Sequence, residues 1–532
     1  MAGHGQGERS GKGGSGSEER CPILMSGGKP CSRPIHRAAP DVDPTPVCLM
    51  HSRDIWKSDA EFQEEFERIL REAGDGLADF SQFIFPRSDY GEFKIFEVNR
   101  TFETKCDFSL ATFAKDANFF RAEFPRGADF SEATFKQRAN FGFATFTQNA
   151  DFTRATFMQN ADFRNVTFTQ EAVFDNATFT QDADFGGATF TQDANFWSAT
   201  FGQVAVFVDA TFMQNARFLA VFKQGASFEA STFAGIADFR CASFAGTIQF
   251  DQTKFKHDKD KDGEPGPVFS AAVFEEPEKV AFYGVHLEFA LFHNCDVSKV
   301  NFSDVTWCKR ANGKPMVFDE AVNPQHEVAR DLRPMKGDPN ARNYRLIAEL
   351  YQQLKKNYDD RRDYWTAGDF HYGEMEMKRL ASHHHNKVWR WLHSNLGLVA
   401  WYRYASEHGE SYVRPTCWLV LVFLVFMLLY PVTGLYLDAG RIGTPATASA
   451  SVEKLTYWHP LQNSGDAHSL WRARLDLVGH SFVTTLYVAA FQKDLTYQPS
   501  YPWGRLLAMA EVLLTSTLGA LFLLAVRRQF KR

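Results

Sequence analysis

Large apolar residues recur in the middle of the chain at a spacing that fits neither an amphipathic helix nor an ordinary strand. From residue 102, phenylalanines follow one another in steps of alternately six and five residues. A small or β-branched residue lies two positions before nearly all of these rings, and mostly polar residues separate them. A fixed period of this kind predicts a solenoid whose repeats pack on one another. The phenylalanines lie at positions 102, 108, 113, 119, 124, 130, 135, 141, 146, 152, 157, 163, 168, 174, 179, 185, 190, 196, 201, 207 and 212.

The same period continues with two changes. One step shortens between Phe218 and Phe222, after which the alternation resumes through Phe255. A strict step of five then runs from Phe282 to Trp307. We assign residues 93–308 to the repeat domain, with an insertion loop at 256–267.

The repeated unit, Ala-Asp-Phe-x-x-Ala-Thr-Phe-x-x-x, resembles the pentapeptide-repeat family, and the count of 52 Phe against 16 Tyr fits one repeated structural slot. The resemblance implies a right-handed quadrilateral β-helix in which the large residue and the small residue two before it both point inward. Stacked rings filling a narrow prism would leave methyl-sized room for the second inward position. Two eleven-residue units would make one coil, so residues 102–255 predict about seven coils, each rising about 4.8 Å.

Helical spacing returns on both sides of the repeats. Residues 56–92 are expected to form a helical capping segment, and residues 309–341 a linker. Residues 342–382 have the pattern of a helical hairpin, which we expect to pack on the end of the β-helix. Residues 386–413 mix Trp, Leu and Val with Lys and Arg, as in a helix lying at a membrane interface.

Two apolar runs, 414–438 and 503–526, are long enough to cross a bilayer core of about 30 Å. Arginines precede the first run, and a basic tail, 527–532, follows the second. We therefore expect a multi-pass protein of the inner (plasma) membrane. By the positive-inside rule, both of its termini lie in the cytoplasm. Residues 439–474 would form an extracytoplasmic loop, and residues 1–19, rich in Gly, Ser and charge, a disordered leader.

Between these spans, residues 475–502 contain an apolar stretch that is too short and too polar to cross, which predicts a re-entrant helix. Two spans enclosing such a segment resemble the two-transmembrane, potassium-channel-related ion-channel family, most closely from Trp503 to Gly519. The resemblance implies a homotetrameric pore. The pore and filter residues would be Thr484, Thr485, Ala490, Phe491, Gln492, Lys493, Asp494, Glu511 and Gly519.

The filter region departs from the potassium-selective pattern. With Asp494 aligned to the usual filter aspartate, residues 490–493 contain no glycine, so backbone carbonyls are not expected to ring an ion in the usual way. Lys493 near the mouth would disfavour cations if it points inward. Glu511 is an ionisable group inside a span, which either faces water or braces the fold by a hydrogen bond. Gly519 would be a hinge or a close-packing point.

Three thiols and an imidazole lie close together near the N-terminus, in the spacing Cys21-x9-Cys31-x16-Cys48-x2-His51. This Gly- and Pro-rich segment, 20–55, has little apolar surface, and a tetrahedral Cys3His zinc site would supply its folding energy. His36 is a competing ligand. The alternative is that these residues are unrelated members of a disordered leader.

The remaining chemistry is sparse. A formal net charge of −6 offers no basic field for nucleic acid. Asp258, Asp260, Asp262 and Gly263 begin like a calcium loop, but Phe269 takes the place of the bidentate Glu, so an insertion loop is favoured. Neither a nucleophile with its base nor a phosphate loop is recognisable, so an enzyme is not expected. The sequence predicts an oligomeric ion-channel-like pore with a cytoplasmic domain that docks an unknown protein partner or gates. The rival is a membrane-anchored scaffold that does not conduct.

Overall fold

The computed structural model describes residues 19–36, 42–86, 100–256, 264–334, 342–381, 387–437, 454–456, 467–492, 497–500 and 502–531. Two compact units divide the chain, Met1–Leu346 and Ile347–Arg532. The first contains the repeats, and the second contains the apolar helices.

The first unit is a four-sided β-solenoid of about nine turns, built from four parallel sheets. Face A consists of Leu77–Asp79, Lys105–Asp107, Ala128–Asp129, Ala150–Asp151, Ala172–Val173, Ala194–Asn195, Ala216–Arg217, Ala237–Asp238 and Pro267–Val268. Face B consists of Glu123–Phe124, Thr145–Phe146, Thr167–Phe168, Thr189–Phe190, Thr211–Phe212, Thr232–Phe233 and Lys254–Phe255. Face C consists of Ile84–Phe85, Thr112–Phe113, Thr134–Phe135, Thr156–Phe157, Thr178–Phe179, Thr200–Phe201, Val221–Phe222, Ser243–Phe244 and Val273–Phe274. Face D consists of Ala117–Asn118, Ala139–Asn140, Ala161–Asp162, Ala183–Asp184, Val204–Val206, Gly225–Ser227, Thr247–Gln249, Val280–Tyr283 and Asn301–Ser303.

The inward positions are those that the repeat predicts. Thr156 pairs with Thr178, one coil of 22 residues on. The rings of Phe157 and Phe179 stack 4.8 Å apart and 3° from parallel, and both rings are fully buried. The coil rise therefore equals the stacking distance of the rings, so that each column of phenylalanines is continuous.

Each corner inside a five-residue step is a tight turn. After Phe152, the amide of Ala155 donates to the Phe152 carbonyl at 3.0 Å, and Arg154 is left-handed with φ 56°. Most of the equivalent turn residues are not glycine, so each pays a backbone cost of about 1–2 kcal/mol. The shortened step removes this residue: the Ala220 amide donates to Phe218 at 2.7 Å, and the coil there has 21 residues.

The solenoid starts at Leu77, ahead of the expected residue 93. Ala78, Phe80 and Phe85 are fully buried in the slots of the repeat, and Leu77–Asp79 pairs with Lys105–Asp107. Helix α1, Asp59–Ala73, begins at the N-cap Ser58 and covers this first coil. Its Phe66 ring stacks on Phe80 at 4.1 Å.

The other end of the solenoid is covered by residues of the segment 309–341, which the sequence predicts to be a linker. Strands His286–Leu287, Thr306–Lys309 and Pro315–Met316 form a small sheet, followed by 3-10 helices Phe318–Glu320 and Glu327–Leu332. A further 3-10 turn, Pro277–Lys279, precedes Val280. Asp319, fully buried, accepts from the amide of His293 at 3.0 Å and from its ring at 2.8 Å. Asp258, Asp260, Asp262 and Gly263 lie outside the described residues.

The second unit is helical. Its helices are α2 (Tyr344–Asp360, which begins at the end of the first unit), α3 (Tyr364–Leu380), α4 (Lys387–Leu396), α5 (Leu398–Ser406), α6 (Val413–Thr433), α7 (Ala467–Ala489) and α8 (Trp503–Lys531). Strands Leu435–Leu437, Lys454–Leu455 and Tyr497–Pro499 form an antiparallel sheet.

Two details concern residues 342–413, for which the sequence predicts a helical hairpin followed by an interfacial helix. The hairpin α2–α3 packs tightly at Gly373, where a Cβ would lie 2.5 Å from the Tyr351 ring. The segment predicted to form one helix at a membrane interface, 386–413, contains two helices, α4 and α5, with Gly397 between them. Whether the hairpin covers the end of the β-helix stays a prediction.

Within the described residues, two helices are long and apolar enough to cross a membrane, Val413–Thr433 and Trp503–Arg528.

Candidate metal centre and candidate membrane pore

Four ligand atoms from three short segments converge near the N-terminus. The Sγ atoms of Cys21, Cys31 and Cys48 and a ring nitrogen of His51 all lie within 4.8 Å of one another. Cys31 Sγ is 3.6 Å from Cys48 Sγ, and His51 Nδ1 is 3.2 Å from Cys48 Sγ. A tetrahedral ion with metal–sulfur bonds of about 2.3 Å has sulfur–sulfur edges of about 3.8 Å. The cluster therefore has the donors and the spacing for a metal ion; His36 is not part of it.

The local backbone explains why these residues meet. Antiparallel bridges between Arg20 and Pro34 and between Leu24 and Pro30 form a hairpin that carries Cys21 and Cys31. A tight turn, in which the His51 amide donates to the Cys48 carbonyl at 3.1 Å, brings the other two ligands to it. The second ring nitrogen, His51 Nε2, lies 3.4 Å from the Ser81 carbonyl, which leaves Nδ1 for the metal.

Two cations support the cluster, and sequence reasoning missed both. Lys57, almost fully buried, donates from Nζ to the carbonyls of Leu49 at 2.7 Å and Ser52 at 2.9 Å, and so braces the ligand turn. Burial lowers the pKa of Lys57 to about 7. Arg33 Nη1 donates to Cys31 Sγ at 3.0 Å. Hydrogen bonds from Cys48, His51 and Arg33 together hold the pKa of the Cys31 thiol well below its usual range.

The cluster is joined to the first coil of the solenoid. The Ile84 amide donates to the Met50 carbonyl at 2.9 Å, between the ligands Cys48 and His51. Ser26 Oγ, in the hairpin, donates to Asp79 at 3.0 Å. The His51 ring packs edge-on against Phe83 at 5.1 Å. The candidate metal centre is thus part of the N-terminal cap, together with α1.

The second candidate site is formed by α6, α7 and α8. Helices α6 and α8 are antiparallel, and α7 packs against both. Two neighbouring residues of α7 contact the middle of α6: Ser481 Oγ donates to the Met427 carbonyl at 2.6 Å, and the Phe482 ring packs against Phe423 at 5.1 Å. The chain then returns, since Tyr497 pairs with Leu437 just beyond the end of α6.

The tip of α7 contains several of the predicted pore residues. Thr484 and Thr485 are buried, and their hydroxyls donate to carbonyls of their own helix at 3.0 and 2.9 Å. Ala490 and Gln492 are exposed. Phe491 is also exposed, at 64%, with a left-handed φ of 58°. Lys493 and Asp494 lie outside the described residues.

The two remaining predicted residues lie on α8. Glu511 is fully buried and accepts a hydrogen bond from the Tyr430 hydroxyl at 2.5 Å, so one carboxylate oxygen ties α8 to α6. Its other oxygen, Oε1, has no hydrogen-bond partner in the described part of the chain. No described atom outside its own helix backbone comes within 4 Å of the Cβ position at Gly519. Close packing at Gly519, if it occurs, does not involve the described part of this chain.

Charged residues tie the end of α8 to the turn before α6. Arg528 Nη1 donates to the His408 carbonyl at 3.0 Å and to Glu410 at 2.9 Å. The fully buried His408 ring bonds through Nε2 to Glu376 of α3 at 2.9 Å. Glu407, His408 and Gly409 are all left-handed. Sequence reasoning missed this network because Arg528 lies more than a hundred residues from His408 and Glu410.

A sequence profile of the family described as pentapeptide repeats (nine copies) matches residues 101–145, 135–178 and 174–219. The chain therefore carries a pentapeptide-repeat domain. No curated protein and no solved structure shows significant similarity to the chain.

Proposed function

We propose that the chain is a subunit of an oligomeric ion-channel-like membrane pore, whose pentapeptide-repeat domain docks a partner or gates from the cytoplasm. The oligomer would be a homotetramer in the inner (plasma) membrane with both termini cytoplasmic. The proposal needs α6 and α8 as the two spans and α7 as the re-entrant pore helix. Exposed indoles on α4 and α5, Trp389, Trp391 and Trp401, suit a position at the lipid headgroups.

The course of α7 is the observation that carries the proposal. Helix α6 runs 10 residues from Phe423 to its end at Thr433, which is about 15 Å. The Phe482 ring packs against Phe423, yet Tyr497 pairs with Leu437, beyond that end. We take the segment between them to enter beside α6 and to leave on the same side. A mere anchor has no need of such a segment, whereas backbone that dips into a bilayer must be covered by protein or line water.

The charges set the expected selectivity. In a symmetric oligomer, the mouth after α7 would collect one Lys493 from each subunit. Converging lysines raise the local anion concentration and repel cations, an effect that weakens as salt shortens the Debye length. With no glycine at residues 490–493, a potassium-type filter is not proposed.

A planar-bilayer recording of the purified protein tests the pore. We expect currents, and Lys493→Glu should move the reversal potential in a salt gradient towards cation preference. Lys223→Glu makes the same charge reversal on the exposed surface of the repeat domain and should leave the reversal potential unchanged. Currents whose selectivity ignores Lys493→Glu would place that side chain outside the path. No current from the wild type under any condition would favour the anchored scaffold.

We also propose that the Cys3His cluster holds a structural zinc ion. Four protein ligands leave no open position for chemistry, so the ion would supply folding energy alone. Metal analysis of the intact protein tests this directly. One zinc per chain is expected, and a chain without metal would remove the proposal.

A further inference from the structure

The Arg33 side chain contacts three parts of the N-terminal cap. Its Nη1 lies 3.0 Å from the ligand atom Cys31 Sγ. Its Nε lies 2.6 Å from Glu65 of α1. Its guanidinium sits 5.4 Å over the Phe83 ring of the first coil. The side chain is only 16% exposed.

The net charge of the ligand cluster explains why a cation beside Cys31 Sγ is favourable. Three thiolates and a neutral imidazole around a divalent ion carry a net charge of −1. Cys21 and Cys48 are each 1% exposed, so water does little to solvate that charge. A buried charge is tolerated when it is paired and hydrogen-bonded. Arg33 supplies one full positive charge and a hydrogen bond at a ligand sulfur.

Lys57 does not duplicate this role. Its ammonium donates hydrogen bonds to three backbone carbonyls, those of Leu49, Met50 and Ser52. It shapes the turn that carries Cys48 and His51. Arg33, by contrast, touches a ligand atom and is anchored at its other edge by a carboxylate. The planar guanidinium presents donors on different edges in fixed directions, so one rigid group makes both bonds.

We propose that Arg33 is a positioning residue for the metal centre. It offsets the charge of the thiolates, fixes the Cys31 sulfur and, through Glu65, links metal binding to helix α1. This inference rests on the proposed metal site, and it names the residue outside the four ligands on which affinity depends most. Partners of this kind typically change metal affinity by 10- to 100-fold.

The test compares Arg33→Gln with Arg68→Gln in the full-length protein. Both remove a cationic partner of Glu65, because Arg68 lies 2.6 Å from the same carboxylate oxygen. Arg68 is 45% exposed and forms salt bridges with Glu65 and Glu72. Zn²⁺ affinity is measured by competition with a chromogenic chelator, and the Co²⁺ absorption spectrum reports the ligand set.

Arg33→Gln should weaken Zn²⁺ binding about 10- to 100-fold while the Co²⁺ spectrum keeps its three-thiolate form. Arg33→Lys should recover part of the loss, and Arg68→Gln should stay within about twofold of the wild type. Equal affinities for the wild type and Arg33→Gln would overturn the positioning role and leave the metal site standing. A Co²⁺ spectrum that loses thiolate intensity in Arg33→Gln would support the positioning role through the Cys31 sulfur rather than through charge. A wild type that binds no metal would instead overturn the metal site itself.

Discussion

Removing one ring from the phenylalanine stack should open the solenoid locally. Phe185 is fully buried and stacks between Phe163 at 4.8 Å and Phe207 at 5.0 Å. It also meets Phe174 and Phe196 edge-on at 5.4 and 5.5 Å. Phe→Ala changes in cores cost about 3–5 kcal/mol, and the rigid coils on either side leave little room for the cavity to collapse. Phe185→Asp adds an unpaired buried carboxylate, at a further cost of several kcal/mol.

Hydrogen exchange by mass spectrometry on the full-length protein measures this effect where it occurs. The Phe185 amide donates to Val206 at 2.7 Å, so its protection reports opening of the coil. A loss of 3–5 kcal/mol would reduce protection by about two to four orders of magnitude. Thr180→Asp, an exposed position in the same coil, should change it by less than about threefold. Equal protection in Phe185→Ala and Thr180→Asp would refute the argument that the stacked rings hold the coils together.

Three further predictions concern other parts of the chain. Cys48→Ser with His51→Ala should release bound metal and make residues 20–55 protease-sensitive, while membrane insertion is unchanged; intact protection from protease would contradict this. Burial alone would raise the pKa of Glu376, but hydrogen bonds from His408 and Arg379 lower it to about 2. The stability from Glu376 is therefore present above its unfolded pKa of about 4.3 and lost as pH falls towards 2, so Glu376→Gln should flatten acid unfolding of the helical unit between these values. Arg528→Gln should increase hydrogen exchange at residues 406–410, which Arg527→Gln, at the exposed neighbouring position, should leave unchanged.

The repeat fold is predictable from the sequence because one structural position, the inward-facing phenylalanine, recurs at a regular spacing. A phenylalanine at each large position and a small residue two before it leave a single inward arrangement, and the register of 22 residues follows from the step sizes. The first coil escaped prediction because residues 87–99 interrupt the period, although Ala78, Phe80 and Phe85 keep its spacing. The covering segment at 315–332 has no period, and its burial depends on Asp319 reaching the backbone at His293.

The four residues of the candidate metal centre could be named from their residue types, but their supporting cations could not. Arg33 and Lys57 have no distinguishing spacing, and their roles follow from where the hairpin and the turn meet the first coil. Likewise, an ionisable residue in an apolar run singles out Glu511, while its partner Tyr430 is one of several aromatic residues in α6. Sequence patterns identify residues that are unusual for their element, whereas partners with ordinary properties emerge only from the packed chain.

The contacts of Arg528 limit how a pore of this design could move. If α8 lines the path, as proposed, its cytoplasmic end can shift only by breaking the bonds to the His408 carbonyl and Glu410 or by carrying them along. The turn that receives them is left-handed at three successive residues, two of which are not glycine, so it stores about 1–2 kcal/mol at each of those two. Glu376 holds the same turn from α3. Motion at the C-terminal end of α8 and motion of the hairpin α2–α3 are therefore coupled through one strained segment.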